Sequence, residues 1–324
     1  MHLSRRLSLL AVAGAAFFWG TSHPASKVLL LHISPFQLAL ARGLAPGIGL
    51  ALLLLLWGRF GQIGVEMRTR PLTVLGMGML AFFGFLILTS SGLRYLPASV
   101  NSLLVNTSPL MIAIWLIAMH RRLPSRRILL GLLFGFIGVA ALSLRGMEDF
   151  GAVGALGVLL STGASAAWAI YTAWGRRESQ TGDAIALTAA SSLAAIVPFF
   201  LVGLVTGELT PPDYLSGQDL LLLAYVSIMG GALPYALWSV GLKGLSSASA
   251  SAFLYVIPLT AVTLAVITLG EPVTLALVIG GIAILGGVFL AQTPPPRSSR
   301  PADVQSRIRV TPHNEHSSEA SPGG

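Results

Sequence analysis

The chain has 324 residues, of which 54% are hydrophobic and only 10% charged, and its mean hydropathy is +0.79. Ordinary soluble domains carry roughly 25% charged residues, so a soluble globular enzyme and a disordered protein are both excluded. A net charge of +8 in a soluble chain would suggest nucleic-acid binding. Here the charges sit between apolar runs, where they set membrane topology, and no nucleic-acid partner is expected. The chain has no cysteine, so disulfides, thiolate zinc sites and iron–sulfur clusters are impossible.

Apolar runs long enough to cross a bilayer, at about 20 residues each, recur along almost the whole sequence. They are continuous rather than alternating, which excludes an outer-membrane barrel. Ten spans are predicted, at 9–31, 35–57, 72–93, 98–119, 128–144, 152–174, 184–206, 218–241, 248–269 and 272–291. The first begins like a signal peptide, with Arg5-Arg6 before an apolar stretch to Gly20. Its apolar character continues to Leu31, so it is read as an uncleaved transmembrane helix. After Gln292, Pro294-Pro295-Pro296-Arg297 opens a tail rich in Pro, Ser and charge, expected to be disordered over 293–324. With the N-terminus inside, sixteen Lys and Arg fall in inside segments and two, Arg94 and Arg145, fall outside. That bias places both termini in the cytoplasm and supports an even number of spans in a cell inner membrane.

The two halves match in one ungapped frame at an offset of 149 residues. Trp19 pairs with Trp168, Ser102 with Ser251, Pro109-Leu110 with Pro258-Leu259, Gly131 with Gly280, and Gly138-Val139 with Gly287-Val288. Each half holds five predicted spans. Five is odd, so the second half enters the membrane from the opposite side, giving an inverted-topology repeat. The expected fold is an all-α membrane protein with ten transmembrane helices in two inverted five-helix repeats. The first repeat covers 1–146 and the second 147–292.

Short motifs in this order resemble a known family. Phe18-Trp19-Gly20-Thr21-Ser22 and Ser34-Pro35 followed by Ala41-Arg42 mark the first two spans. Gly92-Leu93-Arg94-Tyr95 through Ser108-Pro109 marks the third and fourth. Ala167-Trp168-Ala169-Ile170-Tyr171 and the stretch from Ala236-Leu237-Trp238 to Gly270-Glu271-Pro272 mark the second half. Over residues 9–291 the chain resembles an EamA-type member of the drug/metabolite transporter superfamily. The resemblance implies export of a metabolite or amino acid. One departure stands out: the family's Gly-Glu follows both the fourth and the ninth span, but here only Gly270-Glu271 is intact, with Arg122 at the other position.

A transporter needs a polar or aromatic cavity near the midplane. Ionisable groups within a span are costly, so each is a functional candidate. Lys27 and Arg42 are candidate contacts to an anionic solute. Their plainer roles are snorkelling of Lys27 to the outer interface and helix stitching by Arg42. His23 shares a helix face with Trp19 and Lys27, and its plainer role, like that of His32, is to mark the interface. No Asp or Glu lies well inside a span, which weighs against a buried carboxylate relay and towards facilitated diffusion or another coupling route. Trp19, Asn106, Trp168, Tyr171, Tyr235, Trp238 and Tyr255 are candidate cavity walls, because polar-tipped rings can sandwich an apolar solute group and still donate hydrogen bonds. The plainer reading is an interfacial belt, which suits Trp57 and Trp174 near helix ends. Pro109 and Pro258 are expected to kink their helices. The glycines at 131, 135, 138, 280, 281, 286 and 287 permit close helix packing, within the chain by default or across a homodimer.

Other signals fail on context. Asn106-Thr107-Ser108 fits a glycosylation sequon but lies inside a span. Gly244-Leu245-Ser246-Ser247 has the Gly-x-Ser pattern of a serine nucleophile but no histidine between His120 and His313 to serve it. There is no Walker A sequence and no paired His/carboxylate cluster for a metal, so neither an enzyme nor a cofactor is expected. The partners expected are a small-molecule solute and the lipid bilayer. The rival reading is a membrane sensor or scaffold that keeps the fold without transport, supported by the altered first Gly-Glu motif.

Overall fold

Alternating apolar runs and short polar breaks fold into helices packed side by side. The computed structural model describes residues 5–108, 110–111, 114, 126–178, 183–210, 212, 214–241 and 252–292. Pro109, Arg122, Ser251, the Gly244–Ser247 motif and the tail 293–324 lie outside the described residues, as does the side chain of Tyr255.

The first half contains α1 (Arg5–Leu29), α2 (Pro35–Leu56), α3 (Gly61–Thr69), α4 (Pro71–Met77), a π-helical segment (Gly78–Gly84), α5 (Phe85–Tyr95) and α6 (Ala98–Val105). Next come α7 (Arg126–Glu178), α8 (Ala184–Ala194), α9 (Ile196–Thr206) and α10 (Gly217–Ser227). A second π-helical segment (Ile228–Ala232), α11 (Leu233–Gly241), a 3-10 turn (Ala252–Tyr255), α12 (Val256–Leu269) and α13 (Leu275–Gln292) follow. Long α7 is broken at Gly151, whose φ of 59° and ψ of −140° are open to glycine and hard for any other residue. Among the described residues, five stretches are long and apolar enough to cross a membrane: 35–56, 71–95, 151–172, 184–206 and 217–238. Leu129–Gly138, Val256–Leu269 and Leu275–Leu290 are shorter apolar helices.

Helix starts follow local chemistry. Ser34 caps α2 in a reciprocal box with Gln37, and Pro35 occupies the first turn, where its missing N–H costs nothing. Ser216 and Asp219 form the same box on α10, and the Asp183 carboxylate caps α8. Pro258 corrects an expectation. It lies buried in the first turn of α12, directly after the 3-10 turn, and therefore starts a helix rather than kinking one. Helix α3 was not foreseen; it tucks Ile63 and Glu66 inward within what reads as a polar connection.

The distribution of side chains suits a lipid solvent. Large apolar residues such as Leu56, Leu72, Val205, Leu221, Ile267 and Phe289 are exposed, while Ser22, Ser26, Ser90, Ser102, Ser161, Ser165 and Ser192 are buried. Without a hydrophobic drive between helices in lipid, close contact of small residues holds them together. Ser192 shows how: its hydroxyl accepts from Gly47 N–H at 2.7 Å and donates to Gly43 C=O at 2.7 Å. It is wedged into the backbone ladder of α2, and the glycines leave it room.

The glycine rows meet within the chain. A Cβ on Gly138 would stand 2.7 Å from the Gly280 carbonyl oxygen. One on Gly287 would stand 2.5 Å from the Gly131 carbonyl oxygen and 2.7 Å from Gly135 N. The N-terminal part of α7 and α13 thus touch backbone to backbone. Gly286, beside one of these, has nothing within 4 Å of its would-be Cβ. Gly287→Leu is expected to destabilise the protein by about 1–3 kcal/mol or more, the usual cost of overpacking. Gly286→Leu should be nearly neutral. The midpoint of thermal unfolding in detergent, measured for both, checks the difference.

Candidate functional site

Helices α1, α2, α5, α6, α7, α11 and α12 and both irregular segments of the second half line an interior cavity of about 720 Å³, its open mouth included. Its wall joins Trp19, His23, Arg42, Phe85, Leu86, Thr89, Val105, Asn106, Ser108, Trp168, Gly230, Gly231, Tyr235, Leu254 and Ile257.

The rings of the wall lean on one another. Trp19 lies 5.4 Å from Tyr235, edge to face, and Tyr235 lies 6.4 Å from Trp168. Trp168 in turn lies 4.8 Å from Phe85. A second layer props the first. Trp238 sits 5.5 Å from Trp19, Tyr171 sits 5.1 Å from Trp168, and Phe82 contacts both Tyr235 and Tyr171. Edge-to-face and tilted pairs of this kind hold rings in fixed orientations beyond the effect of their buried area.

The polar side of the wall is built from α1, α2, α5 and α6. Arg42 is only 7% exposed. Its guanidinium donates to Ser22 Oγ at 3.2 Å and Ser26 Oγ at 3.4 Å, and its Nε has no hydrogen-bond partner. The stitching expected of Arg42 runs to two hydroxyls on α1. His23 is 6% exposed and meets Asn101 Oδ1 at 3.2 Å. Asn101 continues to Ser161 Oγ and to Thr89 C=O, tying α6 to α7 and α5. Asn106 donates to Ser102 C=O, and Thr89 Oγ1 is buried without a partner.

Of the residues singled out from sequence, Trp19, Arg42, Asn106, Trp168 and Tyr235 come together on this wall. Tyr171 and Trp238 stand behind it in the second ring layer. Tyr255 contributes backbone to the 3-10 turn, and its side chain is outside the described residues. Lys27 goes elsewhere. Its Nζ donates to the carbonyls of Leu93, Arg94 and Leu96 at 2.7, 3.3 and 2.8 Å, closing the C-terminus of α5. A cation there complements the helix dipole. His23 departs from the interfacial role given to it, since it is buried and lines the cavity. The shared face with Trp19 was the signal that could have found it. Thr89, Phe85 and the glycine pair of the π segment carried no such signal. Trp174, expected near the interface, is half-buried, with its ring packed against Gly76.

Glu271 of the intact Gly-Glu motif also has a defined place. Its carboxylate accepts from Ala98 N–H at 2.5 Å, Ser99 N–H at 3.0 Å and Ser99 Oγ at 2.5 Å. Pro97, the residue before α6, offers no side-chain cap, so Glu271 caps that helix from a distant part of the chain. Lys27 and Glu271 therefore hold the α5–α6 corner from its two electrically opposite sides. Among the described residues no group of three or more His, Asp or Glu is arranged to hold a metal.

The EamA-like transporter family model matches the chain twice, at residues 6–144 and 155–293, so that both ends of the second match lie 149 residues beyond the first. A protein of Archaeoglobus fulgidus named "Uncharacterized transporter" is 28% identical over 296 residues, covering 89% of this chain and 96% of its own. The Bacillus subtilis "Uncharacterized transporter YvbV" is 25% identical over 90% of this chain and 93% of its own. A Salmonella typhimurium protein named "Probable amino-acid metabolite efflux pump" is 26% identical over 89% of this chain and 95% of its own. A solved structure titled "Crystal structure of protein" superposes with a TM-score of 0.62 at 22% identity, covering 89% of this chain and 97% of that one, and so shares the fold.

Glu271→Ala leaves two backbone N–H donors of α6 without their acceptor. The expected loss is about 0.5–2 kcal/mol, the usual worth of a helix cap. It should appear as a lower thermal unfolding midpoint in detergent, with Glu271→Gln losing less.

Proposed function

This chain belongs to the EamA-like transporter family, and from that premise we propose that it exports small organic metabolites, amino acids or their derivatives among them. Transport is secondary, without ATP hydrolysis in this chain. The direction and substrate class rest on the Salmonella relative's name and on the family resemblance, not on the cavity itself. The protein lies in a cell inner membrane with both termini in the cytoplasm, as the Lys and Arg bias indicates.

The observation that carries this reading is that Trp19 and Trp168, 149 residues apart, line one interior cavity together with a buried arginine. In the proposed architecture, ten helices form two inverted five-helix repeats, at 1–146 and 147–292, and the solute binds where they meet. Three observations support it. The family model matches twice at the repeat offset. The two π segments, Gly78–Gly84 and Ile228–Ala232, fall at corresponding positions. The glycine contacts are reciprocal: Gly138 meets Gly280 and Gly287 meets Gly131, and each pair becomes the other when the halves are exchanged. Contacts of that form belong to a two-fold axis. They also occupy the glycine rows within one chain, which takes away their argument for a homodimer.

Rocking of one repeat against the other exposes the cavity to each side in turn. The π segments, at which helices are locally loose and often functional, border the wall at Phe85 and at Gly230 and Gly231.

Proteoliposomes containing the purified protein should show saturable counterflow of at least one amino acid or organic acid. Trp19→Ala with Trp168→Ala should reduce it about tenfold, equivalent to about 1.4 kcal/mol of binding. Absence of flux across a broad panel would favour a sensor or scaffold, and a chemically altered solute would favour an enzyme.

A further inference from the structure

Arg42 is a cation held away from water and facing an open cavity, with two hydroxyls as its only hydrogen-bonded side chains among the described residues. A guanidinium presents five N–H donors. Two are directed at Ser22 and Ser26 over long distances, and Nε–H has no acceptor. Buried charges are ordinarily paired, because leaving one alone is expensive. The described carboxylates are engaged elsewhere: Glu66 and Glu178 with Arg70, Asp183 with Arg59, Asp219 with His32, Glu208 with Ser34 and Glu271 with α6. The fixed positive charge of the cavity thus has no fixed negative counterpart among the described residues.

We infer that the solute itself supplies that counterpart, and that this site selects a monoanionic carboxylate with an apolar or aromatic body. The inference rests on the transport reading and narrows it, favouring organic acids over free zwitterionic amino acids. A carboxylate matches the planar donor fork of arginine and accepts from Nε and a terminal nitrogen at once. Its body then lies along Trp19, Trp168 and Tyr235, whose faces and edges take flat apolar groups. No lining residue is acidic, so the ammonium of a zwitterion finds no opposite charge on the described wall. A phosphate monoester brings a second negative charge with only one cation to meet it. One fixed charge therefore favours one charge on the solute. Ser22 and Ser26 act as positioning residues, holding the guanidinium against α1 at the cavity wall.

The test uses the full-length purified protein with four probes of nearly equal size: 3-phenylpropanoate, its amide 3-phenylpropanamide, phenylalanine and phenethylamine. Binding is read by displacement of radiolabelled 3-phenylpropanoate in detergent, and counterflow by reconstitution into liposomes. The acid should bind at least about tenfold more tightly than the amide, the zwitterion or the amine, the discrimination typical of a charge-assisted pair. Arg42→Gln should abolish the preference for acid over amide, and Arg42→Lys should restore part of it. Equal binding of acid and amide, tighter binding of phenylalanine or phenethylamine, or no binding by any probe overturns the inference. Should Arg42→Gln not fold, the ratio of acid to amide on the native protein decides alone. Acid selectivity without counterflow leaves the inference standing and defeats the transport reading. Counterflow without acid selectivity does the reverse.

Discussion

Hydrocarbon offers no hydrogen bonds, and that constraint governs nearly every polar contact in this molecule. Ser192 inserts its hydroxyl between an N–H and a C=O of α2 and bonds both. Asn101 gathers His23, Ser161 and a carbonyl of α5 into one buried cluster. Lys27 and Glu271 satisfy the ends of two short helices whose neighbours, Leu96 and Pro97, cannot do so with their side chains. In each case a polar side chain serves the backbone of a different helix. Such bonds specify which helices are neighbours, which apolar contact in lipid does weakly.

The cavity wall holds two of the polar groups that this accounting leaves open. Arg42 Nε and Thr89 Oγ1 are buried without partners, and both residues belong to the wall. The hydroxyls of Ser8, Ser90 and Ser191 are also buried without partners, but none of them lines the cavity. The rings around the opening are firmly braced, since Trp238, Tyr171 and Phe82 stand behind Trp19, Trp168 and Tyr235. Rigid apolar faces beside unsatisfied donors make a site that can be specific without large rearrangement of its walls.

Much of this could be read from the sequence, because hydropathy and punctuation are local. The start of α2 at Ser34-Pro35, the break near Gly151 and the 149-residue repeat needed only residue types and spacing. Trp19, Arg42, Asn106, Trp168 and Tyr235, candidates from residue type and span alone, do share one wall, though residue type could not separate them from polar groups that serve helix contacts. Direction around the helix axis was harder. Lys27 and His23 share a face with Trp19, yet one reaches the end of α5 and the other the cavity. That outcome depends on where α5 and α6 end, not on α1. The second ring layer could not be separated from the first, because Tyr171 lies one turn from Trp168 and Trp238 lies one turn from Tyr235. The π segments left no mark in composition, since their extra residue per turn is imposed by packing rather than by propensity.

The reciprocal glycine seam has a consequence for how the two halves can diverge. At the wall the halves are free to differ: Trp19 and Trp168 correspond, but His23 faces Thr172 in the repeat alignment and Arg42 faces Ser191. At the seam they are not. A larger residue at Gly138 collides with the backbone at Gly280, and one at Gly287 collides with the backbone at Gly131, so neither α7 nor α13 can drift alone. A chain built this way can alter the chemistry of its chamber in one half while four glycines, two from each half, keep α7 packed against α13.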